Sequence, residues 1–150
     1  MVQRRGIRQT TGGARWSLLV LIGFVGMLPV WWALLGQLLE HREAYTACSS
    51  GAPPGTVGSL ENLRFHADST FLPAGRRCVY DMADGSTQAW QTGWPSTIWA
   101  LSGTGVCLLV LVVCWLSWRR MSPMQRMLVH VAAGLAVLGW VAIASFAALN

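Results

Sequence analysis

The side chains that could do chemistry in this 150-residue chain are few: four cysteines, three histidines and six carboxylates. Cys48 and Cys78 are the only thiols between residues 40 and 95, and Cys107 and Cys114 stand seven apart in a later apolar run. A dithiol redox centre favours C-x-x-C spacing, which neither pair has. His41 and Glu43, and again His66 and Asp68, place an imidazole and a carboxylate two residues apart. In an extended segment that spacing puts both groups on one face, and their types suit Zn²⁺. His66, Asp68 and Ser69 also hold the letters of a hydrolytic triad, but they lie too close in sequence to be read as one. His130 sits inside an apolar run. There an ionisable side chain raises a functional hypothesis by default. As a haem ligand it would need a second axial ligand from a partner chain, because His41 and His66 fall outside the apolar runs. No phosphate loop, nucleotide fingerprint or H-E-x-x-H is present. We therefore expect no catalytic residues, no resident cofactor and no metal, with His130, His41, Glu43, His66 and Asp68 as the candidates to watch.

The elements that must position these groups are set by lipid. The chain is 53% hydrophobic and 11% charged, against about 25% charged in ordinary soluble domains. Its mean hydropathy is +0.44. Three runs, Trp16–Leu39, Ser96–Trp118 and Met127–Leu149, contain no Asp, Glu, Lys or Arg. Each is long enough as a helix to cross a bilayer, which takes roughly 20 residues. The fold class expected is membrane all-α: three transmembrane helices, the last two a hairpin, with a small extracytoplasmic β-containing domain. The first run is too long for the apolar region of a cleaved signal, about 7–15 residues, so it is expected to remain.

Charge sets the orientation. The 1–15 tail carries Arg4, Arg5, Arg8 and Arg15, and the 119–126 loop carries Arg119, Arg120 and Arg126, both without an acid. All six acids (Glu40, Glu43, Glu61, Asp68, Asp81, Asp84) fall in the 40–95 segment. The positive-inside rule then places the tail and the 119–126 loop in the cytoplasm and 40–95 outside. The C-terminus follows on the outer face, as in a multi-pass plasma-membrane protein. The net charge of +5 reflects this topology, not a nucleic-acid groove. The 1–15 tail is expected to be mobile and to lie on the anionic inner leaflet.

The 40–95 domain is expected to form a three-stranded meander from "LRFHA", "RRCVY" and "STQAW", with "MADG" as a turn. So small a unit buries little apolar surface and needs a staple. Cys48 and Cys78, both on the oxidising side, supply one as a disulfide. Closing that loop contributes about 3–4 kcal/mol in the chain-entropy view.

Small residues should bring the helices together: Gly23 and Gly26 on the first, Ala100, Gly103, Cys107 and Cys114 on the second, Ala133, Gly134 and Ala144 on the third. Pro29 is expected to kink the first helix, and Pro95 to start the second. Trp16, Trp115 and Trp118 should mark the inner interface, and Trp90, Trp94 and Trp99 the outer one. Trp31, Trp32 and Trp140 lie deeper, facing lipid, a neighbouring helix or a bound partner.

The stretch from Ser69 to Thr97 carries Pro73, Gly75, Cys78, Tyr80, Asp84, Gly85 and Pro95. It resembles a segment of uncharacterised small polytopic membrane proteins of high-GC Gram-positive bacteria. There a Pro-x-Gly-x-x-Cys-aromatic run precedes an acidic-glycine turn and a helix-starting proline. The resemblance implies a bacterial membrane location and no particular activity. The function expected is that of a non-catalytic accessory or interaction subunit, with membrane lipids and other integral membrane proteins as partners and no nucleic acid. The alternatives are a transporter component or redox-complex anchor using His130 with a partner's haem or quinone, and an outward-facing envelope sensor.

Overall fold

A computed structural model describes residues 4–58 and 64–149, with side chains from residue 14 onward. Three long helices dominate: α1 (Arg4–Arg42), α3 (Trp94–Leu116) and α4 (Pro123–Leu149). The spans Ala14–Arg42, Trp94–Leu116 and Pro123–Leu149 have peak mean hydropathies of 2.3, 2.2 and 2.2 and are long and apolar enough to cross a membrane. Between them lie a short helix α2 (Ala44–Ser50) and strands β1 (Phe65–Thr70), β2 (Gly75–Asp81) and β3 (Thr87–Gln91). The chain is therefore mostly helical, with one small antiparallel sheet in the order β1-β2-β3.

Two boundaries differ from expectation. The helical backbone of α1 reaches back to Arg4 and forward to Arg42. Extending an established helix adds one hydrogen bond per residue fixed, and arginine is a good helix former. Pro29 lies inside the helix, where the sequence places it. β1 starts at Phe65 and runs on to Thr70, further along than "LRFHA", whose Leu63 lies outside the described residues.

The chain divides into two compact units. The first comprises Met1–Trp31 and Trp99–Gly139. Its core is Val20, Val110, Cys114, Met121 and Val129, flanked by Trp16, Phe24, Leu111 and Leu128. A stripe on α3 at helical spacing (Ala100, Gly103, Cys107, Val110, Cys114) is buried. It meets α1 closely. A Cβ on Gly26 would stand 3.0 Å from the Gly103 carbonyl oxygen and 3.1 Å from Cys107 Sγ, and one on Gly103 would collide with the Gly26 carbonyl. Cys107 Sγ lies 3.1 Å from the Gly23 carbonyl oxygen, where its S–H donates a weak hydrogen bond.

In this unit the buried positions of α4 are Val129, Ala132, Ala136 and Gly139, one step round the helix from the expected stripe. Ala133 is half-buried, and Gly134 is exposed with nothing within 4 Å of a Cβ built there. Gly139 makes the close approach instead, 2.8 Å from Val30 Cγ1. Helical periodicity decides this, since 129, 132, 136 and 139 share one face and 134 does not. Ser122 and Gln125 close the start of α4 reciprocally, at 3.1 and 3.3 Å, as a capping box does.

The second unit comprises Trp32–Ile98 and Trp140–Asn150. Cys48 and Cys78 form a disulfide, their Cα atoms 5.8 Å apart. With Tyr80 they are the buried centre of a small core that includes Ala52, Phe65, Ala67 and Met82. Register explains the grouping: Phe65 faces Tyr80 and Ala67 faces Cys78 across the β1–β2 pair. Gly85, at φ +83°, makes the β2–β3 turn. There Asp84 accepts from both the backbone N–H and the hydroxyl of Ser86, at 2.9 and 2.6 Å, and these bonds hold its carboxyl below the usual aspartate range.

Candidate functional site

Gln37 continues the buried face of α1 after Ala33, one turn on. It is 1% exposed, and its amide Nε2 donates 2.9 Å to the carbonyl of Thr70 at the end of β1. The next turn adds two ties. Glu40 accepts a 2.5 Å bond from the Thr92 hydroxyl, and His41 Nδ1 meets Ser69 Oγ at 3.2 Å. Arg76 joins from β2: its backbone N–H donates to Thr92 Oγ1 at 3.1 Å and its guanidinium reaches the Glu40 carbonyl at 3.5 Å. On the first turn of α3, Thr97 Oγ1 accepts from Ala74 N–H at 2.7 Å and donates to the Gly93 carbonyl at 2.7 Å. Gly93 takes φ +91°, and a side chain there would strike the Ala74 carbonyl. The β1–β2 turn is thus bolted to the end of α1 and the start of α3 by polar groups, of which Gln37, Ser69 and Thr97 are buried, worth about 1 kcal/mol per net hydrogen bond. The two atoms in this cluster buried without a partner are Gln37 Oε1 and Arg76 Nε.

The predicted pairings separate here. His41 belongs to α1 and Glu43 lies just before α2, so the extended-chain argument for that pair does not apply. His41 instead turns its ring edge-on to Phe146, centroids 5.2 Å apart. His66 and Asp68 do share a face of β1, with Nε2 and Oδ1 2.6 Å apart. Ser69 is buried on the opposite face with His41, so His66, Asp68 and Ser69 form no triad. The Ser69–His41 contact is a hydroxyl–imidazole pair with an aromatic ring, not a carboxylate, packed against the imidazole. Among the described residues, no three His, Cys, Asp or Glu side chains converge as a metal site would require.

In the first unit His130 occupies a different setting. Its Nδ1 lies 2.9 Å from the Arg126 carbonyl oxygen. A carbonyl only accepts, so Nδ1 carries the proton. The imidazole stands edge-on to Trp118 at 5.4 Å, and the Arg126 guanidinium lies over the same indole at 5.0 Å. Trp115 packs on Trp118 at 6.2 Å. These rings, with Leu116 and Arg119, line an open groove of about 570 Å³.

Gln37 is the residue that charge counting passes over. It lies inside the first apolar run and carries no charge, yet it falls on the buried stripe Val20, Gly23, Gly26, Val30, Ala33 at helical spacing. A lone amide on the buried face of an otherwise apolar helix was the available signal. Comparison of the chain with protein-family profiles, with curated proteins and with solved structures finds no match.

Proposed function

We propose that the chain is a non-catalytic integral membrane accessory subunit, with its helices in the plasma membrane and its stapled sheet domain presented outside. The observation that carries this reading is the apolar surface of the three helices. In the most apolar window of each, only 28% is buried within the fold. The remainder, including Leu18, Leu21, Val25, Leu28, Leu108, Leu109, Val137 and Leu138, needs lipid or a neighbouring helix as solvent. The small residues Gly23, Gly26, Ala100, Gly103, Cys107 and Cys114 are used inside the fold, so a partner would have to meet other surfaces. Gly105 and Gly134 are exposed with open space above them, and such notches admit a second helix closely. In the sheet domain β3 is exposed at every position and carries Trp90 at 69% exposure. An exposed strand edge suits strand-by-strand docking. Kinship with the small Gram-positive membrane proteins whose outer segment this one resembles belongs to the same proposal.

Affinity purification in mild detergent followed by mass spectrometry tests it. The expected result is a stoichiometric membrane protein that is lost with Trp90→Ala or Gly134→Leu. Purification of the chain alone under every mild condition would overturn the partner reading. One observation favours a second reading, a haem or quinone anchor: the Nδ1 bond to a backbone carbonyl fixes the His130 tautomer, as in many ligating imidazoles. A Soret band that His130→Ala removes would establish it.

A further inference from the structure

The first unit has cations and no anions. The sequence carries no Asp or Glu before residue 40 or after residue 84. Every carboxylate therefore falls in the other unit, whereas Arg15, Arg119, Arg120 and Arg126 belong to this one. Arg126 is partly buried, its Nε is buried without a hydrogen-bond partner, and its guanidinium is held over Trp118. The groove beside it is lined by Arg119 and His130 as well as by Trp115, Leu116 and Trp118. The lining thus combines a cationic side chain with aromatic and aliphatic ones, and Arg126 adjoins it through the shared Trp118 ring.

The geometry points to a binding site for one anionic phospholipid at this groove. The phosphate would meet Arg119 and Arg126, and the acyl chains would lie along Trp115, Leu116 and Trp118. Arginine forks match phosphate oxygens in pairs. Indoles settle where headgroup meets hydrocarbon. A phosphate would supply the guanidinium with the anion that the protein's own carboxylates do not, and a groove of about 570 Å³ has the volume for a headgroup with the start of its chains. A zwitterionic lipid brings a compensating ammonium, so net negative charge sets the preference. This inference rests on the helices lying in a bilayer.

The test is lipid retention, measured by native mass spectrometry of the full chain in detergent. Phosphatidylglycerol, phosphatidylcholine and inorganic phosphate are added separately. The expected result is preferential retention of one phosphatidylglycerol, about tenfold over phosphatidylcholine. R119Q/R126Q should abolish that preference and R119K/R126K should keep part of it, while R77Q, in the sheet domain, should leave it unchanged. Equal retention of the two lipids by the unaltered chain would overturn the site without requiring any variant to fold. So would a phosphatidylglycerol preference that survives R119Q/R126Q. Saturable uptake of inorganic phosphate with no lipid preference would assign the groove to a soluble phosphate and overturn the lipid assignment. A chain that proves soluble without detergent would instead sink the membrane reading.

Discussion

Tyr80 donates a 2.8 Å hydrogen bond to the main-chain oxygen of Cys48, the residue whose sulfur is bonded to Cys78, two positions before Tyr80 on the same strand. The helix α2 is thus held to β2 twice, once covalently and once by a buried phenol. Tyr80→Phe removes the donor and leaves that carbonyl buried and unsatisfied, a loss of about 1–3 kcal/mol. Thermal unfolding of the sheet domain, followed by near-ultraviolet circular dichroism, should show the drop while the helical signal at 222 nm persists.

Removing the staple should do more. The loop between Cys48 and Cys78 spans 30 residues, and its closure is worth about 3–4 kcal/mol in the chain-entropy view. C48S/C78S is expected to unfold the sheet domain at a temperature where the native chain keeps it. Non-reducing peptide mapping should recover the two cysteine peptides joined, with Cys107 and Cys114 as free thiols.

The pH response of the sheet domain follows from two groups. Burial raises the Tyr80 phenol above its ordinary value of 10.0, partly offset by the Arg76 charge. Its contribution to stability is therefore complete below pH 10 and lost as pH rises through the folded value. Asp84 is held below its ordinary 3.8 by its Ser86 hydrogen bonds. Its contribution is complete above that pH and lost as pH falls through the folded value. Tyr80→Phe should flatten the alkaline limb of a stability–pH curve, and Asp84→Asn the acid limb.

Gly103 and Gly134 offer a matched comparison. Gly103→Val drives a side chain into the Gly26 carbonyl and the Pro29 ring. Overpacking of that kind costs about 1–3 kcal/mol and often more. Gly134→Val meets open space and should leave the thermal midpoint of the isolated chain unchanged. Equal effects of the two substitutions in detergent-solubilised protein would contradict the close crossing of α1 and α3.

The helices were legible because each apolar run is long and free of charge, and the sheet because "RRCVY" and the "MADG" turn carry strand and turn signals together. Small residues on α3 were legible for the same reason: Ala100, Gly103, Cys107 and Cys114 repeat at helical spacing on a single face. Which α4 face packs within the chain was not legible, since with alanines at 132, 133, 136 and 144 and glycines at 134 and 139 composition alone does not choose between Gly134 and Gly139. The Gln37–Thr70 and Glu40–Thr92 ties were out of reach, because they join residues 33 and 52 positions apart through a tertiary arrangement that no local pattern encodes. The groove at Trp118 was half-visible: Trp115 and Trp118 were legible as inner-interface residues and Arg126 as within reach of His130, but the contact of Trp118 with His130 was not.

Membrane partition of the whole chain tests the central claim most directly. After expression in bacteria, the protein should stay with the membrane pellet through alkaline carbonate washing and enter solution only with detergent. A reporter fused after Asn150 should be active outside the cytoplasm. Recovery of monodisperse, folded chain from detergent-free buffer would contradict the account.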